Sequence, residues 1–143
     1  MDEEPAGADR HQAGLADRYP VGGIVKALQL RIAVDVSRDN ATINGIRLGM
    51  QPGELLLAVA DGMDSPMLAA RAPFDLLIAN ILAGPLIELA PSFAKATASR
   101  GTLILAGLLD TQADGVAAAY AADGFSLTER GSGEWPILVL SAP

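Results

Sequence analysis

Residues 74–91 read FDLLIANILAGPLIELAP, and their apolar period changes halfway along. The run Phe74 to Ala79 is nearly continuous in apolar residues and is stopped by Asn80, the pattern of a strand buried on both faces. After Gly84-Pro85 the apolar residues Leu86, Leu89, Ala90 and Phe93 recur at spacings of three and four. That is a helix whose first turn tolerates proline, with a core stripe of Leu86, Leu89 and Phe93. A buried strand running straight into an amphipathic helix is the repeating unit of an α/β sheet.

The downstream sequence repeats the unit. Arg100-Gly101 turns into the apolar run Thr102–Ala106, another buried strand, and Asp110 then caps a helix carried by Ala113, Val116, Ala117 and Tyr120. Asp123-Gly124 ends that helix. Two last runs, Phe125–Arg130 and Trp135–Leu140, are separated by Gly131-Ser132-Gly133 and suit an antiparallel pair at a sheet edge, with Trp135 and Pro136 as edge packing.

Upstream, Glu54–Ala60 (ELLLAVA) is a short apolar run stopped by Asp61-Gly62 and reads as a further buried strand. The segment Leu28–Val36 carries two patterns. Strict alternation of Leu28, Leu30, Ile32, Val34 and Val36 signals a strand, whereas Ile32, Val36 and Ile43 share one face of a helix ending at Asn44-Gly45, a good left-handed cap. Residues 1–23, rich in Gly, Pro, Ala and charge without a period, read as a mobile extension.

Composition narrows the chemistry. Half of the 143 residues are hydrophobic and 19% are charged, which suits a single packed domain. Seventeen acidic residues against ten basic ones leave a formal charge of −7, which repels a phosphate backbone and argues against direct nucleic-acid binding. Without cysteine there is no disulfide or thiolate metal site, and one histidine, His11, cannot assemble a zinc site, so no metal is expected. The apolar stretch from Leu76 to Leu89 contains Asn80, Gly84, Pro85 and Glu88 and falls short of the roughly 20 residues that span a bilayer. The acidic start MDEEPAGADR is unlike a signal peptide. No membrane association and a cytoplasmic location are expected.

In an open parallel sheet ligands bind beyond the carboxyl ends of the strands, which singles out two places. Asp61-Gly62 puts a carboxylate at the end of an apolar run; it is either a plain turn or an acceptor for an amine such as an adenine edge. Asn80-Ile81-Leu82-Ala83 puts an amide between a strand and a helix start. Asn80 either caps that helix or holds a neutral amine in line with a methyl donor, because an amide both donates and accepts. The serines lack a histidine partner, and Gly22-Gly23 lacks the later glycines of a dinucleotide loop.

Taken together, SRDNATING at 37–45, VADG at 59–62, FDLLIANILAGPLIELAP at 74–91, GTLILAGLLDTQADGVAAAYAADGF at 101–125 and GEWPILVL at 133–140 resemble the PrmA family, whose members methylate amino groups of large-subunit ribosomal protein L-eleven. The resemblance covers about Ile32 to Ala142, and ANILAGPL is its most specific part. It implies an α/β fold, a Rossmann-like class I methyltransferase sheet in order 3-2-1-4-5-7-6, with the runs after Gly53 as strands three to seven. It also implies S-adenosylmethionine as cofactor and a large-subunit ribosomal protein as acceptor, with Asn80 beside the methyl donor. Asp61 and Gly62 would lie near the adenine, and Asn80, Ile81 and Leu82 would belong to the cofactor wall.

The chain departs from that pattern at its amino-terminal end. No D-x-G-x-G-x-G stretch occurs, and where the family carries an acidic Asp-Ile-Asp-Pro the aligned residues are Leu28-Gln29-Leu30-Arg31. Residues 1–31 are therefore expected to be disordered or outside the family pattern, and residues 32–143 to form a partial methyltransferase domain, with a sheet incomplete in its amino-terminal half and closed by an antiparallel carboxy-terminal hairpin. The family's strand one would stand beside strand four, so its loss leaves an open strand edge that the Leu28–Val36 segment is one candidate to fill. Two functions follow as expectations: a protein-lysine methyltransferase by descent, impaired in this chain, or a non-catalytic α/β fragment that acts as an interaction module or decays as a pseudogene product.

Overall fold

The structure, a computed structural model, describes residues 21–143. It divides into two compact units, one ending at Asp61 and one spanning Gly62–Pro143. The first holds helix α1 (Val21–Ile43). In the second, α2 (Pro66–Ala69), β1 (Phe74–Asn80), α3 (Ala83–Ala96), β2 (Thr97–Ala106), α4 (Asp110–Ala122), β3 (Ser126–Arg130) and β4 (Leu138–Ser141) follow in order.

The four strands of the second unit form one sheet in the order β1-β2-β4-β3. β1 and β2 run parallel, in register from Leu76 opposite Thr102 to Asn80 opposite Ala106. β4 lies antiparallel between β2 and β3, which completes the expected hairpin. This is the 4-5-7-6 half of the order that the family resemblance implied.

Alternation along the strands gives the sheet two different faces. Ala79, Leu103, Leu105, Leu138 and Leu140 are buried on one face, with Leu77 packed beside them, against Leu86, Ala90 and Phe93 of α3 and Ala113, Val116 and Tyr120 of α4. Full burial of each leucine, valine or phenylalanine among them contributes about 1.5–3 kcal/mol. Tyr120 closes this core: its ring meets those of Phe93 and Phe125 at centroid distances of 6.3 and 5.7 Å, and its hydroxyl donates to the carbonyl of Leu86 at 2.8 Å. Burial, with the nearby Asp123 carboxylate, pushes its phenol well above the usual value. On the opposite face Leu76 and Ile78 are 53% and 62% exposed.

Several expectations are corrected. The alternation at Leu28–Val36 does not make a strand, because the helical reading prevails and α1 runs unbroken through it. Its end explains why: Ile46 N–H donates to the Ala41 carbonyl at 2.8 Å and Gly45 N–H to that of Thr42 at 3.1 Å, a Schellman cap with Gly45 in the left-handed region at φ 67°. No strand fills an open edge from that segment. Glu54–Ala60 is not a ladder strand either. Glu54 N–H donates to the Gln51 carbonyl at 3.0 Å, a local turn, and Leu55 is bridged in parallel to Leu48 and exchanges hydrogen bonds with Arg47 and Gly49. Strand three of the family pattern is thus missing from the described sheet, which holds four strands rather than five. Asp110 is the first residue of α4 and Leu109 its N-cap, with Leu109 N–H held by the Gln112 side chain at 2.9 Å. The mobile extension expected at residues 1–23 lies, up to residue 20, outside the described residues, and Val21–Gly23 are helical.

Candidate functional site

Asn80 is the last residue of β1 and sits at the carboxyl end of the parallel pair, opposite Ala106. It falls on the face shared with Leu76 and Ile78, and its side chain is exposed. Within the described sheet β1 is an edge strand, as the missing strand one of the family pattern leads one to expect.

The neighbouring turn shapes the ground on which the amide stands. Ile81 N–H donates to the Ala106 carbonyl at 3.2 Å, carrying the β1–β2 pairing one residue past Asn80. The chain leaving β2 then passes through Gly107 at φ 81°. A Cβ added there would stand 2.6 Å from the Ile81 carbonyl oxygen and 2.8 Å from Asn80 Oδ1. Gly107 is therefore required twice, for its left-handed backbone and for the room it leaves beside the amide.

Helix capping does not account for Asn80. The N-cap of α3 is Leu82, two residues later, and no side chain caps that helix. The carbonyl of Leu82 accepts from Leu86 N–H at 3.1 Å, and the Leu82 side chain is 71% exposed. Ile81 and Leu82 thus present apolar side chains on the rim, next to the amide in sequence and on the loop that leaves it.

A further residue of the same rim was misread in the sequence. Because β4 runs antiparallel to β2, the segment entering β4 returns to the strand end that carries Asn80. The Glu134 carbonyl accepts from Asp110 N–H at 3.0 Å, tying that segment to the start of α4. Pro136 is fully buried there, as edge packing requires, whereas Trp135 is 63% exposed. The signal was present in Gly131-Ser132-Gly133, which frees the segment from the ladder, but the strand end it returns to depends on topology.

The rim is braced electrostatically by Arg130, at the end of β3. Its guanidinium donates to Asp110 Oδ1 at 2.8 Å and to the Asp114 carboxylate, both on the first turns of α4. These two side-chain hydrogen bonds raise its basicity further. Acids in a first turn also favour the positive end of the helix dipole.

Asp61 is exposed and closes the first unit, while Asn80 belongs to the second. Gly62 begins the second unit and abuts α3, where an added Cβ would stand 2.6 Å from the Leu89 side chain. Among the described residues no helix is long and apolar enough to cross a membrane.

A parallel pair continued by an antiparallel hairpin, two helices on one face and an amide at the strand end define the carboxy-terminal half of a Rossmann-like methyltransferase sheet. The chain belongs to the ribosomal protein L11 methyltransferase (PrmA) family, whose model matches residues 27–142. It is 45% identical over 95 residues to a ribosomal protein L11 methyltransferase of Brucella suis, covering 66% of this chain and 32% of that protein. Another of the same name from a Chelativorans species is 43% identical over 105 residues, covering 73% and 34%. The crystal structure of a ribosomal protein L11 methylase from Lactobacillus delbrueckii superposes with a TM-score of 0.62 at 26% identity, covering 73% of this chain and 50% of that one. The chain spans about a third of the length of the curated relatives it matches.

Proposed function

We propose that this chain is the carboxy-terminal part of an S-adenosylmethionine-dependent protein-lysine N-methyltransferase that acts in the cytoplasm on amino groups of a large-subunit ribosomal protein, with no membrane or direct nucleic-acid partner. The observation that carries this reading is the Asn80 amide, exposed at a parallel strand end and standing over the Gly107 turn. The cofactor supplies an electrophilic methyl group. Asn80 Oδ1 accepts an N–H from the neutral acceptor amine and so aims its lone pair along the transfer line, a contribution of positioning rather than of acid–base chemistry. Ile81 and Leu82 form the wall that keeps water from that line, and Asp61 and Gly62 take the adenine end.

The residues present fit the cofactor at one end only. The reading gives the amide and its apolar neighbours to the methyl end, but the 143 residues contain no glycine-rich loop for the amino-acid end, and Leu28–Arg31 offer no carboxylate for the ribose hydroxyls. The reading is therefore of a methyltransferase by descent whose activity is impaired in this chain alone. The second reading, a non-catalytic fragment, rests on the same gap.

A chimaera tests the proposal: the upstream part of the Brucella suis relative joined to this chain, assayed with S-adenosylmethionine and ribosomal protein L11. Methyl transfer is expected, and Asn80→Ala should lower turnover roughly 100-fold or more while leaving the melting temperature nearly unchanged, because the amide neither caps α3 nor packs in the core. A mutant that transfers methyl groups at the parent rate would remove Asn80 from the site. A chimaera that folds but transfers none would favour the non-catalytic reading.

A further inference from the structure

Trp135 reaches the strand end that carries Asn80 through the register of the sheet. Leu138 of β4 opposes Leu105 of β2, so the next step of that antiparallel ladder sets Ile137 level with Ala106, and Ala106 is the partner of Asn80. Asn80 and Ile137 are therefore two strand spacings apart, about 10 Å, with Trp135 just beyond. Burial gives the face. Pro136, Leu138 and Leu140 are buried and Ile137 is exposed between them, and Trp135 continues the alternation on the outer side, the side of Asn80. This placement is set by β1, β2 and β4 alone, all within the second unit.

The backbone that carries the indole is held on both sides. The Glu134 carbonyl accepts from Asp110 N–H at 3.0 Å, and Gly131 N–H donates to the Ile137 carbonyl at 2.8 Å. A Cβ added at Gly131 would stand 3.0 Å from Ile137 N, so the loop closes tightly at its base. Neither ring contact among the described residues involves Trp135. A tryptophan that served packing would bury its ring, as Pro136 beside it does, whereas this one offers its face at a strand end where open parallel sheets bind ligands. Nearby charge favours a cation there. Asp110 and Asp114 share the single guanidinium of Arg130, and Glu134 adds a further exposed carboxylate next to Trp135.

Resting on the methyl-transfer reading, which supplies the acceptor, we infer that Trp135 is the aromatic wall of the acceptor subsite and takes the methylated ammonium group in preference to the unmethylated amine. An indole face attracts a cation through its ring quadrupole, most strongly when the cation is easily desolvated. Each N-methyl group replaces a hydrated N–H by apolar surface, so methylation strengthens the hold of the ring. It weakens the hold of Asn80, whose Oδ1 needs an N–H to accept. The two side chains thus divide the acceptor between them, the amide taking the amine before transfer and the indole the cation after it.

Trp135 is the single tryptophan of the 143 residues, so its emission reports on its own surroundings. The 143-residue protein is titrated separately with Nα-acetyl-trimethyllysine amide, with the unmethylated lysine amide, with the uncharged isostere that has carbon in place of the ammonium nitrogen, and with S-adenosylmethionine. The trimethylated compound should bind at about millimolar strength, on the order of three- to tenfold more tightly than either the lysine amide or the isostere. Broadening of the trimethylammonium proton resonance gives the same comparison for variants without the indole. Trp135→Phe should keep part of the preference and Trp135→Ala should lose it, both melting close to the parent because the ring is 63% exposed. Equal binding of the isostere would reduce the contact to apolar surface and overturn the inference. So would a preference that survives Trp135→Ala, or an emission change with S-adenosylmethionine alone, which would move Trp135 to the cofactor. None of these titrations involves methyl transfer. An inactive chimaera would therefore sink the methyl-transfer reading without altering them, and an active one with no preference at Trp135 would remove the aromatic wall alone.

Discussion

Glu54–Ala60 and Phe74–Asn80 are the same length and almost equally apolar, yet only the second becomes a strand of the sheet. ELLLAVA has one charge and FDLLIAN has one charge, so local propensity does not separate them. What separates them is the neighbour. FDLLIAN lies beside Thr102–Ala106, which offers a complete parallel ladder, and the helix between the two covers their shared face. Among the described residues ELLLAVA finds no ladder beyond the single parallel bridge of Leu55 to Leu48, and Leu55 and Val59 stay exposed. A strand signal in sequence is a statement that an apolar segment would satisfy its backbone in a sheet, and it is met only where the sheet exists.

The sharpest way to break this comparison is to remove one leucine from each setting. Leu103→Ala empties a fully buried position between β1 and β4 and should cost about 2–5 kcal/mol, whereas Leu57→Ala, half-buried in the run without a ladder, should cost about 1 kcal/mol or less. Urea unfolding of the two variants against the parent measures both. Equal losses would mean that Glu54–Ala60 is packed as tightly as the sheet.

The missing neighbours also bear on the cofactor. On the proposed reading, S-adenosylmethionine would be held through a loop and an acid that these 143 residues lack, and each lost charge-assisted contact weakens binding by about 1.5–3 kcal/mol, so affinity should fall on the order of 100-fold or more. Calorimetry on the 143-residue protein checks this. A dissociation constant in the low micromolar range would show that the strand-end half suffices.

A smaller effect probes the covered face from within. Tyr120→Phe deletes the hydroxyl bonded to the Leu86 carbonyl and should cost about 1 kcal/mol at neutral pH. The sign of its pH dependence is fixed by the raised phenol. The folded protein holds that proton to higher pH than the unfolded chain, so the contribution of Tyr120 is complete below the ordinary tyrosine value near 10 and declines as pH rises through that value towards the folded one. Melts taken between about pH 9 and 11 should show the mutant losing less stability than the parent. Parallel losses would remove Tyr120 as the source.

Much of the second unit was legible in advance. The period change within 74–91 marked β1 and α3, and Asp123-Gly124 and Gly131-Ser132-Gly133 marked the end of α4 and the loop of the hairpin. The cap at Asn44-Gly45 held the right answer for α1, since a Schellman turn with glycine at the left-handed position commits the preceding residues to a helix whatever alternation they also show. Strand status for Glu54–Ala60 was not legible, because it turns on a pairing partner far away in sequence or missing from it. The exposed position of Trp135 was hidden for the same reason: the antiparallel return of β4 decides which end of the sheet it reaches.

What the amino-acid sequence determined by itself is local and chemical: which segments are apolar, where glycine and asparagine stop them, the lack of cysteine, and an amide where a strand gives way to a helix. Those follow from side-chain chemistry and backbone preference within a few residues. Tertiary structure alone decided that Gly107 leaves the space beside the Asn80 amide, and that one face of the sheet is covered while Leu76 and Ile78 remain exposed on the other. Each of these depends on contacts between segments tens of residues apart, and such contacts are selected by the burial and hydrogen bonding of the whole sheet rather than by the preference of any one stretch.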